Sequence, residues 1–218
     1  MALDGTFGGL KASIADFLNR SDLSAAIPDF VTMATAALTR RLIADGPVRE
    51  MLATWSPTIT TELTALPADF YGVKSFYIAT LSDSGQVQFA EPEKIAEQKI
   101  LRANQDGDPQ LYSIVGSNLQ LWPWGGAGSS GSYTGTIGYW QKLTALVSDG
   151  DTNWLLTKHP DAYLYTSLIQ SAPYLKDDSR LQVWGELAVN AVTDIVETDK
   201  KARLAPSISA AILPYTAP

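Results

Sequence analysis

His159 is the single histidine among 218 residues, and histidine is the side chain whose ordinary pKa lies nearest neutrality. Any acid–base chemistry would start from it. A general base needs a nucleophile or a substrate proton within hydrogen-bond reach, and the sequence nominates no partner: it holds no second histidine and no G-x-S-x-G elbow. Zero cysteines exclude a disulfide scaffold, thiolate zinc ligation, c-type haem attachment and a cysteine nucleophile. The glycines Gly126, Gly128 and Gly131 fit G-x-G-x-x-G, with Asp149 and Asp151 downstream. Dinucleotide binding, however, needs a helix opening directly behind those glycines. Ser132-Tyr133-Thr134 and further strand-forming residues stand there instead, so the segment reads as a loop between strands. The acidic groups Glu91/Glu93, Asp106/Asp108 and Asp177/Asp178 do not fit the EF-hand loop, and read as solvated turns and helix starts. No cofactor and no metal site is expected.

The elements that would position these residues fall into three zones and a tail. A helix is expected after Thr6, with Leu10, Ile14, Phe17 and Leu18 on one face. A second, with Pro28 at its start, carries Phe30, Met33, Ala34, Ala37, Leu38 and Leu42, and stops at Asp45-Gly46-Pro47. From Trp55 to about Val147 the period turns to two. Strands are expected over 58–66, 73–81, 86–89, 111–115, 119–122 and 133–142, with a short helix over 91–104. Ser82–Gly85 and Gly116–Asn118 read as hairpin turns.

Helical periodicity then returns. Pro160 to Lys176 carries Leu164, Leu168, Ala172 and Leu175 on one face, with a kink expected at Pro173. Ser179–Gln182 fits a capping box. Leu181, Trp184, Ala188, Ala191 and Ile195 then form a seam for another helix. The expected class is α+β: an antiparallel helical bundle with a β-rich insertion and an extended C-terminal tail. Its parts are 1–54 and 149–203 for the helical body, 55–148 for the insertion and 204–218 for the tail. Phe30, Leu38, Leu164, Leu168, Leu181 and Trp184 are the candidate inter-helix packing residues. The tail is uncharged and includes Ile208, Ile212, Leu213 and Tyr215, so it is expected to dock on another surface.

The formal net charge of −7 argues against a whole-surface nucleic-acid binder. No stretch approaches the roughly 20 apolar residues of a membrane span. The opening residues lack the pattern of a secretory signal. These features give the expectation of an intracellular or particle-associated protein with no membrane partner.

Taken in order, several motifs carry a resemblance. They run Ser21-Asp22-Leu23, Ile27-Pro28-Asp29-Phe30, Leu38-Thr39-Arg40-Arg41-Leu42 and Leu66-Pro67-Ala68-Asp69-Phe70. Tyr112–Gly116, Leu119–Pro123 and Asn153–Leu156 come next, then His159–Tyr165 and Ala172–Asp178. The series resembles the head-to-tail adaptor (connector) proteins of tailed bacteriophages, best known in short-tailed phages, over residues 6–203. The resemblance implies a structural virion protein rather than an enzyme. It would sit at the head–tail junction, be made in the bacterial host cytoplasm, and form a twelve-copy ring beneath the portal protein. Tail nozzle or tube proteins would attach below, and double-stranded DNA would pass through without specific binding. It also implies a monomer until the portal offers a template, and a tail that contacts portal or neighbour through Ile208, Ile212, Leu213 and Tyr215. The loop 125–132 and the tail are where the chain departs from the pattern. Two other readings of the residues stand beside it. One is a glycan- or nucleic-acid-binding β module using exposed Trp122, Trp124 and Trp140, and the other a small hydrolase built on His159.

Overall fold

The computed structural model describes residues 3–46, 48–79, 87–102, 107–125, 131–175 and 180–203. Among them are seven α-helices and eight strands in two sheets, a mixed α+β protein. The chain divides into two compact units, Met1–Arg49 with Ala145–Pro218, and Glu50–Thr144.

The first unit is helical. Helix α1 (Phe7–Leu18) begins where the Thr6 hydroxyl accepts from Gly9 N, and ends at Asn19 in the left-handed region, φ 51°. Two more of its opening amides, from Phe7 and Gly8, donate to the carbonyls of Asp151 and Asp149 at 2.9 and 2.8 Å. Glycine at position 8 suits that approach, because a Cβ there would stand a tight 3.2 Å from the Asp149 carbonyl oxygen. Helix α2 (Ile27–Asp45) has Pro28 in its first turn, where a missing N–H costs nothing. Helix α4 (Trp154–Lys158) is capped by Asn153, whose side chain accepts from Leu156 N. Periodicity alone did not suggest this helix, as five residues are too few to display a repeat.

Helix α5 (Pro160–Gln170) comes directly after it, and α6 (Ala172–Leu175) is separated from α5 by Ser171. The expected kink therefore takes the form of a break two residues ahead of Pro173. The Ser171 hydroxyl donates to the Leu168 carbonyl at 2.7 Å there. Helix α7 (Leu181–Arg203) closes the unit and buries Trp184, Ala188, Ala191, Val192, Ile195 and Val196. Helices α1, α2, α4 and α7 all pack on α5, which buries Ala162, Tyr163, Leu164 and Leu168. The proposed capping residue Ser179 and the whole tail lie outside the described residues.

The second unit is built on two sheets and one helix, α3 (Pro92–Leu101). A short 3₁₀ turn over Arg49–Met51 leads from the first unit into β1 (Leu52–Trp55). The expected strand over 58–66 is divided into β2 (Thr58–Ile59) and β3 (Leu63–Ala65), and the two belong to different sheets. Strand β8 (Tyr133–Gln141) pairs antiparallel with β4 (Phe70–Ile78) along one edge. The other edge takes β1 and β2 in succession. The second sheet runs β3, β7 (Asn118–Trp122), β6 (Leu111–Val115), β5 (Gln88–Phe89). The β6–β7 hairpin turns through Gly116, φ 60°, as its residues predict. The other expected hairpin is corrected. Strand β5 pairs with β6, and parallel to it, while β4 pairs with β8 in the other sheet. The turn residues 82–85 lie outside the described residues.

Ile59, Phe76, Ile78, Leu119, Leu121 and Ile137 form the centre of this unit's core. Gly135 sits inside it, where a Cβ would come within 3.0 Å of Ile59 Cδ1 and 3.1 Å of Phe76 Cε2.

Because Leu168 is wholly buried in α5, Leu168→Ala removes core contacts and leaves a cavity. We expect a loss of about 2–5 kcal/mol, read as a lowered midpoint of urea unfolding.

Candidate functional site

The residues nominated for chemistry do not gather into one place. His159 caps the end of α4 and precedes α5, its ring edge-on to Trp154 at 6.4 Å between centroids. Asp161 stands in the first turn of α5, where a carboxylate favours the dipole. The nearest buried polar cluster is structural in character: Asn153 Nδ2 donates to Tyr163 Oη at 2.8 Å, and Thr35 Oγ1 lies 3.3 Å from the same oxygen. Burial pushes the Tyr163 phenol above its ordinary pKa, and the bonds with Thr35 and Asn153 pull it partly back. A phenol shifted upward stays neutral near pH 7 and is a poor base. Behind the glycine-rich segment comes strand β8, not a helix, so the phosphate-binding arrangement lacks its helix N-terminus. Residues 126–130, 106 and 176–179 lie outside the described residues. Among the described residues no three of His, Asp and Glu meet as a metal site.

The tryptophans of the strand-rich unit are not the exposed platform that the β-module reading needs. Trp122 is 9% exposed, with Lys99 Nζ 5.7 Å from its ring centre. Trp124 is half-buried and edge-on to Tyr133 at 5.4 Å. Trp140, also half-buried, lies beneath Lys74 Nζ at 5.0 Å. Strand alternation puts Trp122 and Trp140 on the faces opposite the core residues Leu121 and Tyr139, where Lys99 and Lys74 lie over them. Trp124, between the strands, packs on Tyr133, and residue type could not reveal this.

The packing candidates are placed more simply. Phe30, Leu38, Leu164, Leu168 and Trp184 are buried, and Leu181 is half-buried as the first residue of α7. Phe30 meets Tyr174 edge-on at 5.9 Å, and the Arg180 guanidinium covers the Trp184 ring at 4.8 Å. Ile208, Ile212, Leu213 and Tyr215 lie outside the described residues.

Two features of the helical unit escaped the sequence. One is a groove of about 290 Å³ between α2, α5 and α7, lined by Ala37, Leu38, Arg41, Thr166, Ile169, Gly185, Ala188, Val189 and Val192. Its lining is apolar apart from Arg41 and Thr166, and small residues on α2 and α7 create the space. On the far side of α7, Val183 is 55% and Leu187 37% exposed, one turn apart. Their i, i+4 spacing puts them on one side of the helix, but spacing alone does not tell that this side stays uncovered.

The other is Asp199, whose carboxylate is 6% exposed near the end of α7. Arg49 Nε donates to Oδ1 at 2.7 Å, and Arg203 Nε lies 2.9 Å from Oδ2 without the alignment of a hydrogen bond. The cluster ties the chain entering the second unit to the last turn of α7. Arg49 is well exposed, so solvent screens part of the attraction. Asp199→Asn keeps the shape but removes the charge, and we expect it to cost about 1.5–3 kcal/mol, seen as a lower thermal midpoint at neutral pH.

A family model described as SU10 adaptor protein matches residues 5–210 of the chain. No curated protein matches it. No helix among the described residues is long and apolar enough to cross a membrane.

Proposed function

The chain belongs to the SU10 adaptor protein family, a phage structural adaptor family, and from that membership we propose that it joins the portal to the tail as a ring at the head–tail junction. The match over residues 5–210 carries the reading, because it takes in nearly the whole chain rather than one shared motif. In this reading twelve copies form the ring and DNA passes through its centre. The helical parts 1–54 and 149–203 form the ring body as a bundle, and the insertion 55–148 makes further contacts with tail nozzle or tube proteins. The protein is structural and catalyses nothing.

Physical arguments support this. A net charge of −7 suits a duct that must not grip DNA. The helical unit keeps apolar surface on both flanks of α7, and such surface on a protein's exterior marks interaction sites. The uncharged tail, 204–218, would gain nothing in water to offset an ordering cost of about 1–2 kcal/mol per residue. Docked, each buried Ile or Leu returns roughly 1.5–3 kcal/mol. We therefore assign Ile208, Ile212, Leu213 and Tyr215 to contact with the portal or a neighbouring copy.

Two experiments test the reading. A phage lacking this gene should give packaged heads that have no tail and leak DNA, rescued in trans by the wild-type chain and equally by His159→Ala. Normal tailed particles from the deletion would overturn the adaptor role, and failure of His159→Ala despite a normal melt would point to chemistry at that residue. Deleting residues 206–218 should leave the monomer's melting temperature unchanged and weaken portal binding at least tenfold. Unaltered affinity of the truncated chain would remove the tail from the contact.

A further inference from the structure

The groove between α2, α5 and α7 and the ridge formed by Val183 and Leu187 belong to the same helix but to opposite sides of it. Gly185 and Val189, in the groove, are each offset by two residues from Val183 and Leu187. At about 100° per residue that places ridge and groove roughly 200° apart around α7. The groove is hollow because its walls carry Ala37, Gly185 and Ala188, and the ridge stands out because its branched side chains are uncovered. Val183 and Leu187 are matched in kind to a cavity of about 290 Å³, which has room for a few aliphatic side chains.

Charge is divided in the same way. Arg41 is the one ionised residue among those described that line the groove. Its Nε donates to Asp45 in an exposed i, i+4 pair, leaving the other guanidinium donors for a further acceptor. The ridge line continues along α7 from Leu187 through Asn190 to Asp194 at helical spacing. Asp194 is exposed and makes no ion pair among the described residues. An apolar ridge ending in a carboxylate therefore faces outward on one side, and an apolar groove with a guanidinium opens on the other.

We propose that the Val183–Leu187 ridge of one copy seats in the α2–α5–α7 groove of the next, with Asp194 reaching Arg41. This rests on the adaptor reading and names the surfaces through which its copies meet. Because donor and acceptor surfaces are different, the contact is head-to-tail, the kind that closes into a ring or runs on as a filament and cannot stop at a two-fold dimer. The chain's own tail suits the groove less well, since residues 204–218 hold no acidic side chain to meet Arg41.

The chain has no cysteine, so introduced thiols report only the designed contact. Ala37→Cys and Leu187→Cys are expressed singly and together in the full-length chain and assembled on portal-bearing heads from a phage lacking the gene. Oxidation of mixed single variants should give a dimer, and the double variant a ladder up to the full ring. Leu187→Cys alone should give neither. Gly185→Phe fills the groove from a position where an added Cβ meets nothing within 4 Å. It should keep its melting temperature and lower uptake onto heads at least tenfold. Arg41→Glu and Asp194→Arg should each lower uptake by a similar factor, and the double reversal should restore most of it. Cross-linking of Leu187→Cys to itself would overturn the head-to-tail geometry. Cross-linking of Ala37→Cys to Ile212→Cys within one chain would give the groove to the tail instead. Wild-type uptake by Gly185→Phe would remove the groove from the contact while leaving the adaptor role intact. Heads that refuse even the wild-type chain would instead fail the adaptor reading itself.

Discussion

The burial of α5 is the constraint on which the helical unit depends. Eleven residues long, this helix is packed by α1, α2, α4 and α7, so little of its surface is left for water. A helix in that position cannot present one apolar stripe and a polar back. Apart from its end residues, only the line of Asp161, Tyr165 and Ile169 keeps some exposure. Leu164 and Leu168 supply bulk, Ala162 and Ser167 let neighbours approach, and the buried Tyr163 hydroxyl is met by Asn153 and Thr35. Asn153 does two things at once, since its other end caps α4. The packing around α5 thus joins a polar contact to the apolar area.

Strand β8 plays the corresponding part in the strand-rich unit. Both its edges are paired, with β4 on one and β1 and β2 on the other. Its alternate residues Tyr133, Gly135, Ile137 and Tyr139 are buried. The glycine among them is closely packed by the ring of Phe76 and the end of Ile59, which would have to give way to an added side chain. Tyr133 and Tyr139 keep their hydroxyls satisfied by Asp108 and Asp69. Asp108, expected in a solvated turn, and Asp69, of the Leu66–Phe70 motif, are therefore partners of core tyrosines.

Helix α7 is where architecture turns into surface. It buries one broad face on α5 and α2, but its apolar residues extend past both borders of that face. Val183, Leu187 and Val189 on this helix remain uncovered. The Arg49–Asp199–Arg203 cluster holds its last turn against the start of the 3₁₀ turn at Arg49, so the helix that carries both surfaces is fixed at its far end as well as along its buried face.

Much of this was readable from the chain alone. The Thr6 cap, the Pro28 and Pro160 starts, the β6–β7 turn, the alternation of β8 and the seam of α7 are local signals, decided by residues within a few positions of one another. Family membership was also legible, because ordered motifs survive without coordinates. The division of 58–66 between two sheets, the parallel pairing of β5 with β6, and the burial of Trp122 were not legible. Neither were the groove on one side of α7 and the ridge on the other. Periodicity tells which side of an element is apolar, but not which distant element covers it, nor how much of it remains uncovered. Those outcomes depend on which edges are already taken and how closely helices cross, and only the assembled tertiary structure decides them.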